Sequence, residues 1–242
     1  TSHDFVRDAQ SAIQSTHRLV RLAREAGKRI HVLHVTTKEE IDFLSENKDI
    51  ATVEITPQHL TLVAPEAYER LKGLAQMNPP IRDQYHVDGL WHGINGGIAD
   101  VLGSDHAPHT LEEKAKPYPA SPSGMPGVQT LLPVMLNHVA HGRMSLERLV
   151  DLTSAGAQRV FGVAGKGRMA EGYDGDVTLV DLNHKRVLRH ADMRTRSGWT
   201  PFDGLEVTGW PKATIIRGKV VMRDDEIVRP SLGESCRFME SL

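Results

Sequence analysis

The chain has 242 residues, 29 of them Lys or Arg against 31 Asp or Glu, and one cysteine, Cys236. That length buries a sizeable core, as one large domain or as a large and a small one. Near-balanced charge without a basic stripe argues against a nucleic-acid surface; the lone cysteine excludes an internal disulfide and a cysteine metal cluster and fits a reducing cytosol; no apolar run approaches the ~20 residues of a membrane-spanning helix.

The chain opens on Thr1, inside a polar segment with no strand before it, and reads as a piece of a longer protein. Ala12, Ile13, Thr16, Leu19, Val20, Ala23 and Ala26 recur at helical spacing, which predicts a helix from Ser2 to Gly27. His3 falls in its frayed start and His17 on its surface. Ile30–Val35 is apolar on both faces apart from His31 and His34, as expected of a central parallel strand. Alternation puts His34 on the face of Ile30 and Val32, and His31 on the other.

Thr37-Lys38-Glu39-Glu40 forms a capping box for a short helix through Ile41, Leu44 and Ser45. The next strand, Ala51–Thr56, has Thr52, Glu54 and Thr56 on a polar face opposite Ala51, Val53 and Ile55. Such a strand suits a barrel, apolar toward the helices and polar toward the interior. A longer connection over 61–83 holds a short helix at Glu66–Leu74 and the segment Met77-Asn78-Pro79-Pro80-Ile81-Arg82, where proline keeps Asn78 extended. Gln84–Asn95 is predicted helical with Leu90, Trp91 and Ile94 inward and His86 and His92 solvated.

Val101-Leu102-Gly103-Ser104-Asp105 then reads as a buried strand running into Asp105, His106, Pro108 and His109. The alternation of helix and strand implies parallel strands, whose carboxyl ends carry reactive groups in α/β folds. A proline-rich loop over 107–126 follows, with Glu112, Glu113, Lys114 and Lys116 expected as a solvated face. Val128–Ala140 is an apolar helix that Pro133 should kink or start late. Ser145 caps the next helix, and Ser154–Phe161 forms another, closed by Gly162. Beyond Gly165 glycines and β-branched residues predict a small β module, with strands at Asp176–Leu182 and across Ala213–Arg223, the latter turning at Arg217-Gly218-Lys219.

Three successive strands thus end in His34, in the Glu54/Gln58/His59 cluster, and in Asp105/His109. Imidazole with carboxylate suits zinc or manganese better than calcium. Each histidine alone is more often a hydrogen-bonded structural residue, and two ligands fall short of the three protein ligands of a catalytic zinc. Spacing by itself therefore leaves the metal site open.

Gly-Ser-Asp-His-Ala-Pro-His-Thr (103–110), His-Val-Leu-His-Val-Thr-Thr (31–37), Glu-Ile-Thr-Pro-Gln-His-Leu (54–60) and Met-Asn-Pro-Pro-Ile-Arg-Asp (77–83) together resemble the class I bacterial dihydroorotases. These are cyclic amidohydrolases of the metal-dependent (β/α)8 superfamily. Ser-Gly-Met-Pro-Gly (123–127) fits as well. The resemblance implies an α/β fold: the last three or so βα units of a TIM barrel over residues 1–164, then a small β-sandwich module over 165–242. It implies that His34 and Asp105 bind metal, with Asp105 also the catalytic proton shuttle. It makes Asn78, His109, Ser123 and Gly124 substrate contacts, and Glu54 a ligand of an extra zinc found in some members. The expected cofactor is Zn2+, one or two ions per complete site, or another divalent metal.

The implied reaction is reversible hydrolysis of dihydroorotate to N-carbamoyl-aspartate, a cytoplasmic step of pyrimidine synthesis. The partners it allows are that small-molecule substrate and either a homodimer or a complex with aspartate carbamoyltransferase, with no nucleic acid and no membrane. The family's His-x-His motif of strand 1, the bridging residue of strand 4 and the strand 5 histidine are not in this sequence, so the chain alone is expected to be inactive. Gln58 stands where many members have histidine. The alternatives are an allantoinase or hydantoinase, a metal-free dihydroorotase-like scaffold subunit, and an α/β domain that binds a small anion.

Overall fold

A computed structural model describes residues 3–228 and 233–239; Thr1 and Ser2, where the expected first helix begins, lie outside the described residues. The chain divides into two compact units, one of residues 1–131 and 188–205, the other of residues 132–187 and 206–242. The boundary expected between 164 and 165 falls inside the second unit. Among the described residues no helix is long and apolar enough to cross a membrane.

In the first unit the expected opening helix is two helices, α1 (His3–Val6) and α2 (Ala9–Ala26). Asp8 breaks them apart: its side chain caps α2 by accepting the Ser11 N–H at 2.8 Å. His3 is not frayed. It is buried, and its Nε2 lies 2.9 Å from the Met77 carbonyl. Strand β1 (Ile30–Val32) leads to α3 (Lys38–Ser45), whose Thr37/Glu40 capping box is present. Glu40 is buried and also accepts from Thr16 Oγ1 at 2.6 Å, so the cap ties α3 to α2.

Strand β2 (Ala51–Ile55) has the anticipated two faces: Ala51, Val53 and Ile55 are wholly buried, Thr52 and Glu54 half-buried. Thr56 then caps an unanticipated turn of helix, α4 (Pro57–Thr61). The connection carries α5 (Glu66–Leu71), a 3-10 turn at Lys72–Ala75, and α6 (Gln84–Asn95). Leu90, Trp91 and Ile94 of α6 are buried as expected. His86 is drawn in further than anticipated, accepting from the Lys38 N–H at 3.3 Å. Arg82 is buried too, donating to the carbonyls of Arg7 at 2.7 Å and Asp8 at 3.1 Å. It fastens the start of the chain to this connection.

Strand β3 (Val101–Leu102) completes a parallel sheet in the order β1-β2-β3. This sheet, flanked by the helices of βα repeats, is the architecture expected of part of a TIM barrel. The loop over 107–126 is ordered by α7 (Leu111–Lys114), which has its own capping box between Thr110 and Glu113. Residues 188–205, to which no element had been assigned, belong to this unit. Gln129 clamps them, accepting from the Arg194 N–H at 2.8 Å and donating to Asp192 O at 2.9 Å.

The second unit holds α8 (Leu131–Ala140) from Leu132 onward; Pro133 falls in the first turn, where its missing N–H costs nothing, and the late start is the outcome. Ser145 caps α9 (Leu146–Val150), and a π-helical turn at Asp151–Ala155 feeds α10 (Gly156–Phe161). An antiparallel sheet follows in the order β4 (Val177–Val187), β5 (Glu206–Ile216), β6 (Lys219–Arg223) and β7 (Glu226–Ile227). β4 and β5 are longer than the apolar patterning suggests. Register shifts between Leu179 and Val180 and between Asp181 and Lys185 let the ladder run on through polar residues. Residues 229–232 and 240–242, the C-terminal part of the expected β module, lie outside the described residues.

Candidate active site

The polar face of the three-stranded sheet is built around Glu54. From the centre of β2 its Oε1 accepts the His34 N–H at 3.2 Å, and its Oε2 lies 3.7 Å from His31 Nε2. Just past the end of β3, Gly103 makes room for it, since a Cβ there would stand 2.3 Å from Glu54 Cδ. A side chain at 103 would have to push the Glu54 carboxylate aside.

His34 and Asp105 lie where β1 and β3 give way to loop, and both adopt left-handed backbone, with φ of 37° and 39°. Non-glycine residues rarely do so, and such strain gathers at functional sites. At the kink the His34 backbone amide donates to Glu54 on the polar face. Pairing nonetheless resumes beyond it, Val35 N–H to Glu54 O at 2.9 Å. His34 Nδ1 is buried with no hydrogen-bond partner. Burial pushes the Asp105 carboxyl up from the ordinary range; the His34 imidazole pulls it back down, and the Glu54 carboxylate adds to the rise.

The donors fit a metal: an orphaned buried imidazole nitrogen with a desolvated carboxyl is a first-row cation set. The set is incomplete. Among the described residues no three His, Cys, Asp or Glu are grouped to hold an ion.

The end of β2 is different. His59 is buried and spent on both ring nitrogens, Nδ1 2.8 Å from Thr56 Oγ1 and Nε2 3.0 Å from the Pro79 carbonyl. Burial holds its pKa down at about 3, so it is a neutral structural residue. Gln58 donates to the Ser104 carbonyl at 2.8 Å and leaves Oε1 buried and unpartnered. Of the cluster expected there, Glu54 faces His34 and Asp105, and His59 serves the fold.

The four anticipated substrate contacts lie on three segments. Asn78 Oδ1 is buried without a partner. His109 Nδ1 is 3.7 Å from Glu113, and its carbonyl accepts the indole N–H of Trp199 at 2.7 Å. Ser123 Oγ accepts weakly from Gln76 Nε2 at 3.4 Å. Gly124 has φ of 140°, and a Cβ on it would meet the Ala107 carbonyl at 2.3 Å, so no other residue fits.

Two residues escaped sequence reasoning. Trp199 is wholly buried behind His109; as one of three tryptophans in an aromatic-poor chain, it carried a signal. Lys114 carried none. Far from solvated, it is 1% exposed and donates to the carbonyls of Gln76 at 2.7 Å, Pro122 at 2.8 Å and Gly124 at 3.1 Å.

A sequence profile of the amidohydrolase family matches residues 2–221. The dihydroorotase of Methanosarcina acetivorans is 36% identical over 236 residues, covering 93% of this chain and 50% of that protein. That of Halobacterium salinarum is 37% identical over 221 residues, covering 91% and 51%. Among solved structures, the L-hydantoinase (dihydropyrimidinase) of Arthrobacter aurescens superposes with a TM-score of 0.86 at 32% identity, over 90% of this chain and 50% of its own. The D-hydantoinase (dihydropyrimidinase) of Thermus sp. reaches 0.88 at 26% identity, over 94% and 52%. The chain therefore spans about half the length of the relatives it matches. With a profile match over nearly its whole length and strand ends that pair an open imidazole with a carboxyl, this chain belongs to the amidohydrolase family.

Proposed function

We propose that this chain carries one part of the active site of a dihydroorotase, which reversibly hydrolyses the ring amide of dihydroorotate to N-carbamoyl-L-aspartate in cytoplasmic pyrimidine synthesis. The observation that carries the reading is the buried, unpartnered Nδ1 of His34 beside the desolvated Asp105. Identity of 30–37% to proteins described as dihydroorotases supports the substrate. His34 and Asp105 would hold the ion, zinc or another divalent metal, and further ligands would come from residues outside this chain. When bound, such an ion acidifies water and polarises the scissile carbonyl.

The residues do the rest. Asp105 accepts the proton of the attacking water on a carboxylate oxygen and returns it to the departing ring nitrogen. Glu54 accepts the His34 backbone N–H and so holds the end of β1 in place. Asn78, His109, Ser123 and Gly124 bind the substrate's carboxylate and ring amide through side-chain and backbone groups.

The solved hydantoinases favour a second reading, a cyclic amidase with a different ring as substrate. Turnover of dihydroorotate, hydantoin and allantoin by the metal-loaded enzyme that contains this chain separates the two. Dihydroorotate is expected to be preferred by about 10⁴-fold in kcat/KM, the scale on which a site built to hydrogen-bond its substrate rejects one lacking the groups. Preference for hydantoin would replace the proposal.

A further inference from the structure

We propose that Lys114 is a positioning residue that assembles the substrate-binding surface; this rests on the reading just given of Asn78, His109, Ser123 and Gly124. Its ammonium gathers three carbonyls from two distant segments, Gln76 on one side and Pro122 and Gly124 on the other. Gln76 stands two residues before Asn78, and Pro122 and Gly124 bracket Ser123. Lys114 itself closes α7, the turn that begins just after His109. All three segments that carry the proposed substrate contacts therefore meet at one nitrogen.

The surroundings lock this arrangement. The Gly124 N–H donates to Gln76 O at 2.9 Å, Gln76 Nε2 to Ser121 O at 2.6 Å, and Ser121 Oγ to Lys114 O at 3.2 Å. Trp199, which holds the His109 carbonyl, places its ring 6.0 Å from the Lys114 nitrogen. Among the described residues no carboxylate pairs with the ammonium: its hydrogen bonds go to the carbonyls of Gln76, Pro122 and Gly124. Burial pulls it down to about 8, while three carbonyl dipoles favour the charged form. A buried cation held only by backbone oxygens is a costly way to join loops, and it is spent on the loops that flank Asn78 and Ser123. Beside it lies a cavity of about 480 Å³, lined in part by Leu111, Lys114, Tyr118 and Ser121. That cavity gives small molecules a route to the position.

The test is Lys114→Ala in the active enzyme containing this chain, with and without added propylamine, which replaces the deleted atoms. KM for dihydroorotate should rise about tenfold or more, the worth of a charge-assisted hydrogen bond, with kcat within about threefold. Amide exchange at Gly124 should quicken while Val53 and Ile55 in β2 stay protected. Propylamine should reverse both effects and 1-propanol neither. Unchanged exchange at Gly124, a loss confined to kcat, or rescue by the alcohol as well as the amine would overturn the proposal. If the wild type does not turn over dihydroorotate, the functional reading falls, and the exchange measurement still decides the role of Lys114. Should Lys114→Ala lose the protection of Val53 and Ile55, Lys114→Met, which keeps the aliphatic stem, takes its place for the KM and exchange measurements, which then decide without the amine.

Discussion

The carboxyl ends of neighbouring strands in one sheet hold two histidines in opposite states. After β2, His59 has a partner on each ring nitrogen, and burial leaves it neutral. After β1, His34 keeps Nδ1 buried and unpartnered beside the Asp105 carboxyl. The difference lies in the backbone around them. Thr56 opens α4 with a hydroxyl cap, and the segment at Pro79 brings up a carbonyl, so His59 is met from both sides. Around His34 the chain kinks to left-handed φ, and its own amide, not its ring, is used by Glu54. A histidine saturated by backbone is a packing residue; one left open in a dry site is available for a ligand.

Variants can break this contrast. Asp105→Asn in the active enzyme should lower kcat by about 10²- to 10⁴-fold, the usual worth of a general acid–base group, with the fold intact by circular dichroism. A mild loss would show that the proton moves elsewhere. His59→Leu should do the reverse. It leaves the buried Pro79 carbonyl without its donor and should cost about 1–3 kcal/mol in urea unfolding, with metal content per molecule unchanged. Loss of metal from that variant would erase the distinction between the two strand ends.

Gly103→Ala sharpens the comparison by pressing on Glu54, which lies between them. The added methyl should cost about 1–3 kcal/mol through overpacking and displace Glu54 from the His34 amide. Stability equal to the wild type would mean that the Glu54 carboxylate swings aside at no cost.

A pH dependence tests the same contrast without a mutation. His59 and His138 have folded pKa values lowered by burial to about 3 and about 4, from 6.5 in the unfolded chain. Their contribution to stability is complete above pH 6.5 and is lost as the pH falls toward 4 and 3, because the unfolded chain binds the protons first. The urea midpoint should therefore fall from pH 6.5 to 4, and the slope should shrink in His59→Leu.

Local patterns in the sequence determined much of this protein. The 3.6-residue apolar repeat marks α6 from Gln84 to Asn95, Thr37 with Glu40 announces α3, and strict alternation divides Ala51–Ile55 into two faces. These are interactions between near neighbours, so spacing alone reveals them. Motif chemistry likewise pointed to His34 and Asp105. Tertiary structure alone decided the rest. It showed which of two similar histidines stays open and that Glu54 sits between the strand ends. It also buried Lys114, which stands in a run of charges that reads as surface. The carbonyls that receive its ammonium lie 38 residues before it and 8 and 10 after it. Backbone oxygens carry no side-chain signature, so no pattern of residue types could have foretold where they converge.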